Sequence, residues 1–489
     1  MMDPTVIIAG GGPTGLMLAC ELALANVHAV VIEKLLDPSG ESRGMGLHAR
    51  SLETLDQRGL LERFGDDTPV WPRAHFALMW MDLSDFDTTF TYIVPQWRTE
   101  KILDERAREL GVDLRRGEVV VAVDQDGDGV SVGVRKADGG EYRLRGEYLV
   151  GADGGGSAVR RLAGFDFPGT DSTYHGVLGD VEEYDAVDGI ETTLYPDKGM
   201  YAAIPLGPDV LRIMTTEFDA QLPPDDQEVT LDELRASVKA ITGEEPNVGK
   251  PRWLSRFGNA SRQVTEYRKD RIFLAGDAAH VHYPMGGQGL NSGIQDAVNL
   301  GWKLAAEING WGPPGLLDSY HAERHPVAAR VARNTEAQLA LLHPVGKIGP
   351  LRDLFGELLQ YKEVRRHLIE MVTGIAVTYD FEYPDRAGGP HPLEGRRIPN
   401  AALATPDGER TVAETLRAGH GVLLDLSDGD AKTGDVSNWD GRVDLVRAEP
   451  VEEIGAAVVL VRPDGYIAYA HEDGSDPEGL GLALKTWFG

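Results

Sequence analysis

Cysteine is almost absent from this sequence, which contains one, Cys20, among 489 residues. A lone cysteine excludes a disulfide framework within the chain, a cysteine-based zinc site and a CxxC redox pair. His280 and His282 lie two positions apart, but no further ligands follow at a spacing that suits a metal ion. The sequence therefore predicts no metal site, and structural or cofactor-adjacent roles for these two histidines.

Basic residues are also scarce: 48 Lys and Arg stand against 78 Asp and Glu, a net charge of −30. Nucleic acid and anionic membranes bind basic surfaces, so neither is an expected partner. No apolar run approaches the roughly 18 residues that span a bilayer. The first residues carry no basic region and no cleavage site, so a cytoplasmic location is expected. The length predicts two or three domains.

Glycine, in contrast, is abundant and marks three junctions between a strand and a helix. In the first, Gly10 permits a tight turn, Gly12 lets a pyrophosphate approach the backbone, and Gly15 lets the helix pack close to the strand. Glu33, at the end of the next strand, can accept hydrogen bonds from ribose hydroxyls. The order is strand, turn, helix and strand, at Thr5–Ala9, Gly10–Gly15, Leu16–Ala25 and Ala29–Ile32. The pattern predicts dinucleotide binding.

Two more junctions follow the same plan. The second leads from a strand at Tyr148–Val150 into Gly151–Arg161. In the third, a strand at Ile272–Ala275 ends at Gly276-Asp277, and the glycine-rich loop Pro284–Gly289 leads into a helix from about Leu290 to Leu304. A strand that ends in a carboxylate, followed by bare backbone at a helix N-terminus, is suited to holding a polar, partly anionic ligand.

The chain between and after these junctions divides into further predicted units. Residues 172–270 read as a half-exposed antiparallel sheet that lines a substrate site, with Trp253–Tyr267 as one long strand. Candidate lining residues there are Met200, Tyr201, Ile204, Met214 and Trp253, of which strand alternation turns only half inward. A single helix is predicted at Leu351–Val372. The predicted domains are 1–171 and 271–382, the two parts of a nucleotide-binding domain; 172–270, the inserted sheet domain; and 390–489, a small α/β unit.

The three junctions, in this order, resemble those of the FAD-dependent aromatic hydroxylases, the single-component class A flavoprotein monooxygenases. The resemblance covers about residues 3–380. It is closer still to the actinobacterial hydroxylases that act on aromatic polyketides of the angucycline and anthracycline type. The segments that carry this likeness are Glu41–Gly44, Asp56–Gly59, Phe165–Gly169, Phe257–Ala260, Arg262–Arg268 and Asp318–His325.

The resemblance implies an α/β fold: a Rossmann-like FAD-binding domain, an inserted antiparallel-sheet substrate domain and a C-terminal thioredoxin-like domain. Because that last domain lacks cysteines, we expect it to serve packing or dimerisation, which is compatible with a homodimer. The motifs and the resemblance together place FAD on Gly10, Gly12, Thr14, Gly15, Glu33, Lys34, Arg43, Gln96, Val119, Asp153, Asp277, Gly287, Gly289, Leu290 and Asn291. NADPH or NADH is expected as a transient co-substrate.

The implied activity is hydroxylation of a polycyclic phenol or quinone by O₂, through a flavin C4a-hydroperoxide, in antibiotic biosynthesis. One departure concerns Met45, which stands where the phenol hydroxylases carry an aspartate that helps to deprotonate the phenol. No catalytic residue is therefore assigned. A Baeyer–Villiger oxygenase, a rifampicin-type inactivating monooxygenase and a flavin-binding partner protein without oxygenase activity stay open as alternatives. A flavin halogenase is disfavoured, since the Trp-x-Trp-x-Ile-Pro signature is absent.

Overall fold

The computed structural model describes residues 5–84, 86, 90–185, 191–207, 209–220, 223–224, 227–381, 383, 386, 389–427 and 436–489. No helix within these ranges is long and apolar enough to cross a membrane. The helices are α1 (Pro13–Leu24), α2 (Ala49–Asp56), α3 (Gln96–Glu109), α4 (Ala158–Leu162), α5 (Leu231–Thr242), α6 (Gln288–Ile308), α7 (Asp318–Ala340), α8 (Val345–Leu358), α9 (Lys362–Thr373), α10 (Val412–Thr415) and α11 (Pro477–Phe488).

The strands are short, and most belong to one of three main sheets and a meander. They are β1 (Val6–Ala9), β2 (Ala29–Glu33), β3 (Gly46–His48), β4 (Val70–Trp71), β5 (Arg73–Phe76), β6 (Met79–Asp82), β7 (Thr91–Ile93), β8 (Asp113–Arg116), β9 (Glu118–Asp126), β10 (Gly129–Lys136), β11 (Glu141–Gly146), β12 (Tyr148–Gly151), β13 (Gly169–Thr170), β14 (His175–Val181), β15 (Glu191–Tyr195), β16 (Gly199–Gly207), β17 (Val210–Glu217), β18 (Pro251–Gly258), β19 (Ser261–Gln263), β20 (Arg268–Lys269), β21 (Ile272–Leu274), β22 (His280–Val281), β23 (Ala402–Thr405), β24 (Gly408–Thr411), β25 (Gly421–Asp425), β26 (Val443–Arg447), β27 (Val458–Val461) and β28 (Ile467–His471).

The first sheet is the predicted Rossmann-like core. Its order is β20-β21-β12-β1-β2-β8, and all neighbouring pairs are parallel except β20 with β21. The central strands are continuous apolar runs with no exposed residue, as expected where helices cover both faces. Helices α1 and α6 pack against each other. All three glycine junctions therefore lie at the carboxyl edge of one sheet, where α/β folds bind ligands.

The inserted segment forms a second, antiparallel sheet of order β15-β16-β17-β14-β18. Helix α5 covers one face, where its apolar side chains join those of alternate strand residues in one core. Strands β9, β10 and β11 form a separate three-stranded antiparallel meander. The other face of the second sheet is turned toward the Rossmann-like core, as the cavity between them shows.

The prediction of one long strand at Trp253–Tyr267 is wrong. Strand β18 ends at Gly258, and β19 pairs instead with β13 and β22 in a separate sheet. Asn259 explains the break, because its Oδ1 accepts backbone N–H groups of Thr173 (2.7 Å) and Tyr174 (3.0 Å). An asparagine that bonds the backbone of a neighbouring segment replaces the ladder with a turn.

The prediction of a single helix at Leu351–Val372 is also wrong, since α8 and α9 are separate. Tyr361 between them is extended, with φ −83° and ψ 128°. The guanidinium of Arg365 donates to the carbonyls of Leu359 (3.1 Å) and Gln360 (3.2 Å) at the end of α8. A side-chain donor thereby satisfies the C-terminal carbonyls that a continuous helix would have paired.

The C-terminal unit has the thioredoxin-like sheet order β26-β25-β27-β28, with β25 and β26 parallel and the other pairs antiparallel. It shares a hydrophobic core with the FAD-binding part, to which α6 contributes Trp302 and α11 contributes Trp487 and Phe488. Buried Arg462 reaches from this unit to Glu323 of α7, with N–O distances of 2.7 and 2.8 Å. The unit is therefore packed on the rest of its own chain.

Candidate functional site

One cavity of about 970 Å³ runs from the first glycine turn, past the loop before α6, to the inserted sheet. Cofactor and small-molecule sites typically measure roughly 300–1,000 Å³, so this cavity has room for a large ligand. The predicted cofactor-binding residues that line it are Gly10, Gly12, Thr14, Glu33, Lys34, Arg43, Gln96, Val119, Asp153, Asp277, Gly287, Gly289 and Leu290. Gly15 and Asn291 do not line it.

The first turn leaves a helix N-terminus open to this cavity. No side chain caps α1, and its N-cap residue Gly12 has open space where a Cβ would stand. Gly15 lies behind the turn, and a Cβ there would come within 2.0 Å of the Gly10 carbonyl oxygen. Gly15 therefore permits the close approach of α1, while the uncapped N–H groups beside Gly12 suit an anion.

Glu33 stands at the end of β2, where the first junction needs an acceptor. Its Oε2 accepts the Gly11 N–H at 2.6 Å, and its Oε1 accepts the Leu35 N–H at 2.8 Å. Each carboxylate oxygen keeps a second lone pair, so a ribose hydroxyl still has an acceptor there. Lys34 and Val119, both exposed, line the cavity nearby.

Asp153 organises the second junction. Its Oδ2 accepts the N–H groups of Ala158 (2.7 Å) and Val159 (3.2 Å) at the start of α4. Ser157 donates its hydroxyl to Oδ1 of Asp153 and accepts the Arg160 N–H as the helix cap. Both oxygens are thus engaged by α4, which fixes the carboxylate at the cavity wall.

Asp277 is the contrasting case, an exposed carboxylate at the cavity with no hydrogen bond to any described residue. The turn that carries it is held by Asp296 of α6, which accepts the Gly276 N–H (3.0 Å), His280 Nε2 (2.8 Å) and Arg324 Nε (2.6 Å). Burial opposes ionisation of Asp296, but Arg324 and His280 outweigh it and lower its pKa. The Asp277 carboxylate is consequently available to accept hydrogen bonds from a ligand, and Asp296 holds the turn that carries it.

The N-terminus of α6 forms the far wall of the same cavity. Its N-cap, Gly287, has φ +64°, and no side chain caps the helix. Asn291 holds the preceding loop, because its Nδ2 donates to the carbonyls of Gly287 (2.8 Å) and Gly46 (3.0 Å), and its Oδ1 accepts the His48 N–H (2.8 Å). Asn291 therefore positions the loop residues rather than facing the cavity.

His48 completes this support. Its Nε2 lies 2.7 Å from the Gly286 carbonyl oxygen and must donate, so Nδ1 accepts the Thr91 hydroxyl at 2.9 Å. Burial lowers the pKa of His48, which favours this neutral form. On the other side, Gln96 Oε1 accepts the Gly44 N–H at 3.0 Å and shapes the loop of Arg43, whose own side chain is exposed.

The other end of the cavity is largely apolar. Met200, Ile204 and Met214 of the inserted sheet line it as predicted, with Leu178 and Ala202. Tyr201 and Trp253 do not: Tyr201 faces the α5 side, and Trp253 Nε1 donates to Asp180 at 2.9 Å. Strand alternation separates the two sets, because Met200, Ala202 and Ile204 point one way and Tyr201 the other.

These residues fit FAD. Two uncapped helix N-termini, beside Gly12 and Gly287, suit a pyrophosphate and an electron-rich ring edge, and the free carboxylate of Asp277 suits hydroxyl groups between them. Because glycine has no side chain, the glycines at each end let a planar ring or a phosphate come close to the backbone. No cluster of His, Cys, Asp or Glu within the described ranges could hold a metal ion.

Sequence reasoning missed several residues of this site, namely Asp296, Arg324, His48, His75, Trp80 and Arg212. A carboxylate on the buried face of an amphipathic helix was the available signal for Asp296, since a fully buried aspartate needs partners. His75, Trp80 and Arg212 carried no local signal. They reach the cavity only through packing of the β5–β6 hairpin and the inserted sheet.

Comparison with known families gives two matches along the chain. Residues 3–335 match the family described as FAD binding domain, and residues 391–489 match the family described as aromatic-ring hydroxylase, C-terminal. The first match alone covers more than half of the chain and includes all three glycine junctions.

Characterised relatives match over nearly the whole length. They include a 12-dehydrotetracycline 5-monooxygenase/anhydrotetracycline 6-monooxygenase of Streptomyces rimosus (45% identical, 99% of this chain and 98% of the relative). A dialkyldecalin synthase of Streptomyces rugosporus is 44% identical (100% and 99%), and a rifampicin monooxygenase of Streptomyces venezuelae is 44% identical (99% and 98%). Among solved structures, an aromatic hydroxylase from angucycline biosynthesis has a TM-score of 0.92 at 42% identity, covering 100% of this chain and 99% of its own.

Proposed function

This chain belongs to the FAD-dependent aromatic-ring hydroxylases, and on that premise we propose that it hydroxylates a polycyclic aromatic polyketide with O₂ and NADPH or NADH. The observation that carries the proposal is the single cavity that joins the cofactor-binding turns to the apolar face of the inserted sheet. A flat, fused-ring substrate matches that face in shape and polarity. Relatives that are named for tetracycline and angucycline oxidation support the substrate class.

The chain supplies binding and electrostatics, while bound FAD supplies the redox chemistry with oxygen. The turn Gly10–Gly15, with Thr14, Glu33, Lys34 and Val119, would hold the ADP half. Asp277 would bind the ribityl chain, and Asp153, whose oxygens hold α4, would position the backbone beside the pyrophosphate. Arg43, Gln96, Gly287, Gly289 and Leu290 would surround the ring, and Asn291 would hold their loop in place.

The N-terminus of α6 has a further task. Its unpaired N–H groups and dipole stabilise negative charge that develops beside Gly287–Gly289. His48 holds the Gly286 carbonyl, so that this edge does not need to reorganise during the reaction. Met200, Ile204 and Met214 cover the opposite side and exclude water.

The deciding experiment is turnover of the FAD-loaded protein with anhydrotetracycline, an angular tetracyclic polyketide and rifampicin. NAD(P)H use, hydrogen peroxide release and product mass are followed together. We expect one polyketide to gain an oxygen atom on a ring carbon. Oxygen gain with ring expansion, seen by NMR, would instead show a Baeyer–Villiger reaction, and turnover of rifampicin alone would show the inactivating type.

Two threonines on β15 offer a matched test of the cavity. Thr192 lines it, whereas Thr193 points to the other face of the same strand. We expect Thr192→Trp to lower the rate of polyketide turnover by at least about tenfold and to leave the FAD content unchanged. Thr193→Trp should leave turnover near wild type, and equal losses in the two variants would place the substrate elsewhere.

A second candidate function is a reaction without oxygen transfer. The observation that supports this second candidate is the dialkyldecalin synthase relative, which is 44% identical over the whole chain. A product isomeric with its substrate, formed without NAD(P)H, would decide for this candidate. Bound FAD that NAD(P)H does not bleach with any polyketide would point to a partner protein without oxygenase activity.

A further inference from the structure

The hairpin of β5 and β6 brings an imidazole to the substrate end of the cavity. His75 on β5 is paired across the hairpin with Trp80, and their rings meet edge to face with centroids 5.0 Å apart. Both side chains line the cavity. Strand β5 also packs against the turn Met285–Gly287, which precedes α6. His75 thus stands between the apolar sheet face and the loop assigned to the flavin ring.

Neither ring nitrogen of His75 forms a hydrogen bond with a described residue, and Nδ1 is buried in that state. A neutral imidazole carries one N–H donor and one lone pair, and buried polar atoms are rarely left without partners. Burial, with a smaller effect of His48, lowers the pKa of His75 to about 4. The ring is therefore neutral near pH 7 and able to accept a proton from a ligand.

The turn of this hairpin is held in a strained backbone conformation by hydrogen bonds with α7 and α8. Ala77 and Leu78 have φ +51° and +60°, a left-handed conformation that non-glycine residues rarely adopt. Gln338 of α7 accepts the Ala77 N–H at 2.9 Å, and Arg352 of α8 donates to the Ala77 carbonyl at 2.8 Å. Backbone strain that neighbouring elements enforce is concentrated at functional sites. Here it places Leu78 and His75 in the cavity wall.

Three other cavity side chains do not offer an imidazole acceptor at the apolar end. His48 uses both nitrogens on Thr91 and Gly286. Arg212 is paired with Asp180, at 2.7 and 2.9 Å, and is a donor only. His282 Nε2 is also buried without a partner among the described residues, but it lies beside Gly289 and Asp277, at the side assigned to the ribityl chain. His75 is the imidazole at the apolar end whose ring nitrogens have no partner among the described residues.

We propose that His75 accepts the phenolic proton of the substrate during ring hydroxylation, an inference that rests on the function proposed above. A π electron pair of the ring forms the new C–O bond at a carbon ortho or para to the phenol oxygen, while the O–O bond of the oxygen donor breaks and its electron pair leaves on the outgoing oxygen. The O–H bond then breaks, its electron pair forms the C=O bond of a dienone, and the proton moves to His75. The proton on the oxygenated carbon then passes to the outgoing oxygen of the donor, which restores the aromatic ring, and His75 returns its proton to the phenol oxygen.

A weak base suffices for this step, because the phenol becomes a strong acid only as oxygen is transferred. An imidazole that stays neutral at physiological pH is in the proton-accepting form at the start of every catalytic cycle. His75 also takes over the task for which Met45 supplies no carboxylate. The oxidising equivalents are those of the monooxygenase reaction itself.

Binding gives the first test, with 1-naphthol and 1-methoxynaphthalene as a fused-ring phenol and its methyl ether. Dissociation constants are measured by fluorescence titration of FAD-loaded wild type, His75→Phe and His75→Gln. We expect wild type to prefer the phenol by about tenfold and His75→Phe to lose this preference, since Phe keeps the ring but not the acceptor. His367→Gln, an exposed position on α9, should keep it. An unchanged preference in His75→Phe overturns the proposal.

Turnover of the polyketide that wild type hydroxylates gives the second test. His75→Phe should lower kcat by about 100-fold, a typical contribution of one acid–base group, with FAD content and flavin reduction unchanged. His75→Gln, whose amide oxygen accepts a hydrogen bond but not a proton, should keep part of the phenol preference and recover little of the rate. A kcat within twofold of wild type in His75→Phe overturns the proposal.

The outcomes separate this inference from the proposed function. Wild type that turns over a polyketide, with His75→Phe equally active, counts against His75 alone. If the wild type binds neither fused-ring compound and oxidises no polyketide, the proposed function is wrong. The proposal for His75 is then wrong as well, because there is no phenolic substrate whose proton it could accept. If His75→Phe fails to retain FAD, His75→Gln decides, because its amide cannot take up the proton: a kcat within twofold of wild type in that variant overturns the proposal.

Discussion

At the scale of single residues, the carboxylates of the site differ in their hydrogen bonds. Two accept hydrogen bonds from the protein, and a third has no hydrogen-bond partner among the described residues. Asp153 spends both oxygens on α4, and Asp296 is fully buried among three donors. Asp277 alone of these three is exposed in the cavity without a partner in the described chain. Since Asp296 holds the turn, the side chain of Asp277 can be removed without moving the backbone that carries it.

Asp277→Ala should therefore weaken FAD binding specifically. A hydrogen bond to a charged group contributes about 1.5–3 kcal/mol, which corresponds to a rise of roughly tenfold or more in the dissociation constant. The constant is measured by fluorescence titration of the apoprotein with FAD. Asp353→Asn, at an exposed position of α8, is the matched control. Equal affinities in the two variants would refute the contact with the ribityl chain.

At the scale of elements, the α6 junction depends on a backbone conformation as much as on side chains. Gly286 and Gly287 have φ +76° and +64°, and together they turn the chain into the helix with its N–H groups facing the cavity. A Cβ at Gly287 would lie 3.6 Å from His48 Nε2. A branched side chain there would press on the residue that fixes the Gly286 carbonyl.

Gly287→Val should thus lose FAD binding in addition to the stability that backbone strain removes. The left-handed conformation penalises a side chain by about 1–2 kcal/mol wherever it occurs. Gly310, with φ +75° and open space around it, carries only that penalty and provides the control Gly310→Val. We expect both variants to lose similar stability in urea unfolding and only Gly287→Val to lose FAD. Wild-type FAD content and turnover in Gly287→Val would contradict the assignment of this loop to the ring.

At the scale of the whole molecule, a buried charged cluster joins the C-terminal unit to the FAD-binding part. Lys303 of α6 and Arg462 meet Glu323 of α7, and Arg462 also pairs with Asp464. Lys303 is fully buried, with Nζ 2.9 Å from both Glu323 and Asn299. Burial lowers its pKa to about 8, although Glu323 opposes that shift.

This shift has a definite sign for stability. Between about pH 8 and the unfolded value near 10.4, the unfolded chain binds a proton at Lys303 that the folded chain has released. The free energy of unfolding gains up to about 1.4 kcal/mol per pH unit from this residue as pH rises through that window. Lys303→Met lacks the contribution, so its deficit relative to wild type should grow from pH 8 to pH 9.5 in urea titrations.

The control for this effect is Lys239→Met, on the exposed side of α5. A neighbouring glutamate, Glu245, raises the pKa of Lys239 above its usual value, so this lysine stays charged in both states below pH 10. Its difference from wild type should be flat across the window. A flat difference for Lys303→Met as well would show that the buried ammonium does not lose its proton there.

The sequence by itself determined the three junctions and with them the family, because strand, glycine turn and helix are local features whose spacing is legible within about thirty residues. It also determined which residues of a strand in the inserted sheet share a face, although not which face is the inner one. Two predictions from local pattern were wrong because a side chain bonds backbone outside its own element: Asn259 bonds the distant segment at Thr173, and Arg365 of α9 satisfies the end of α8.

Only the tertiary structure decided what shares the cavity. His75, Met200 and Gly287 are far apart in sequence, and they meet because the β5–β6 hairpin, the inserted sheet and the α6 loop pack around one space. Asn291 fastens Gly46 and His48 to α6 across more than 240 positions. Contacts of this kind depend on how whole elements fit together, and that fit is a property of the packed chain rather than of any stretch of it.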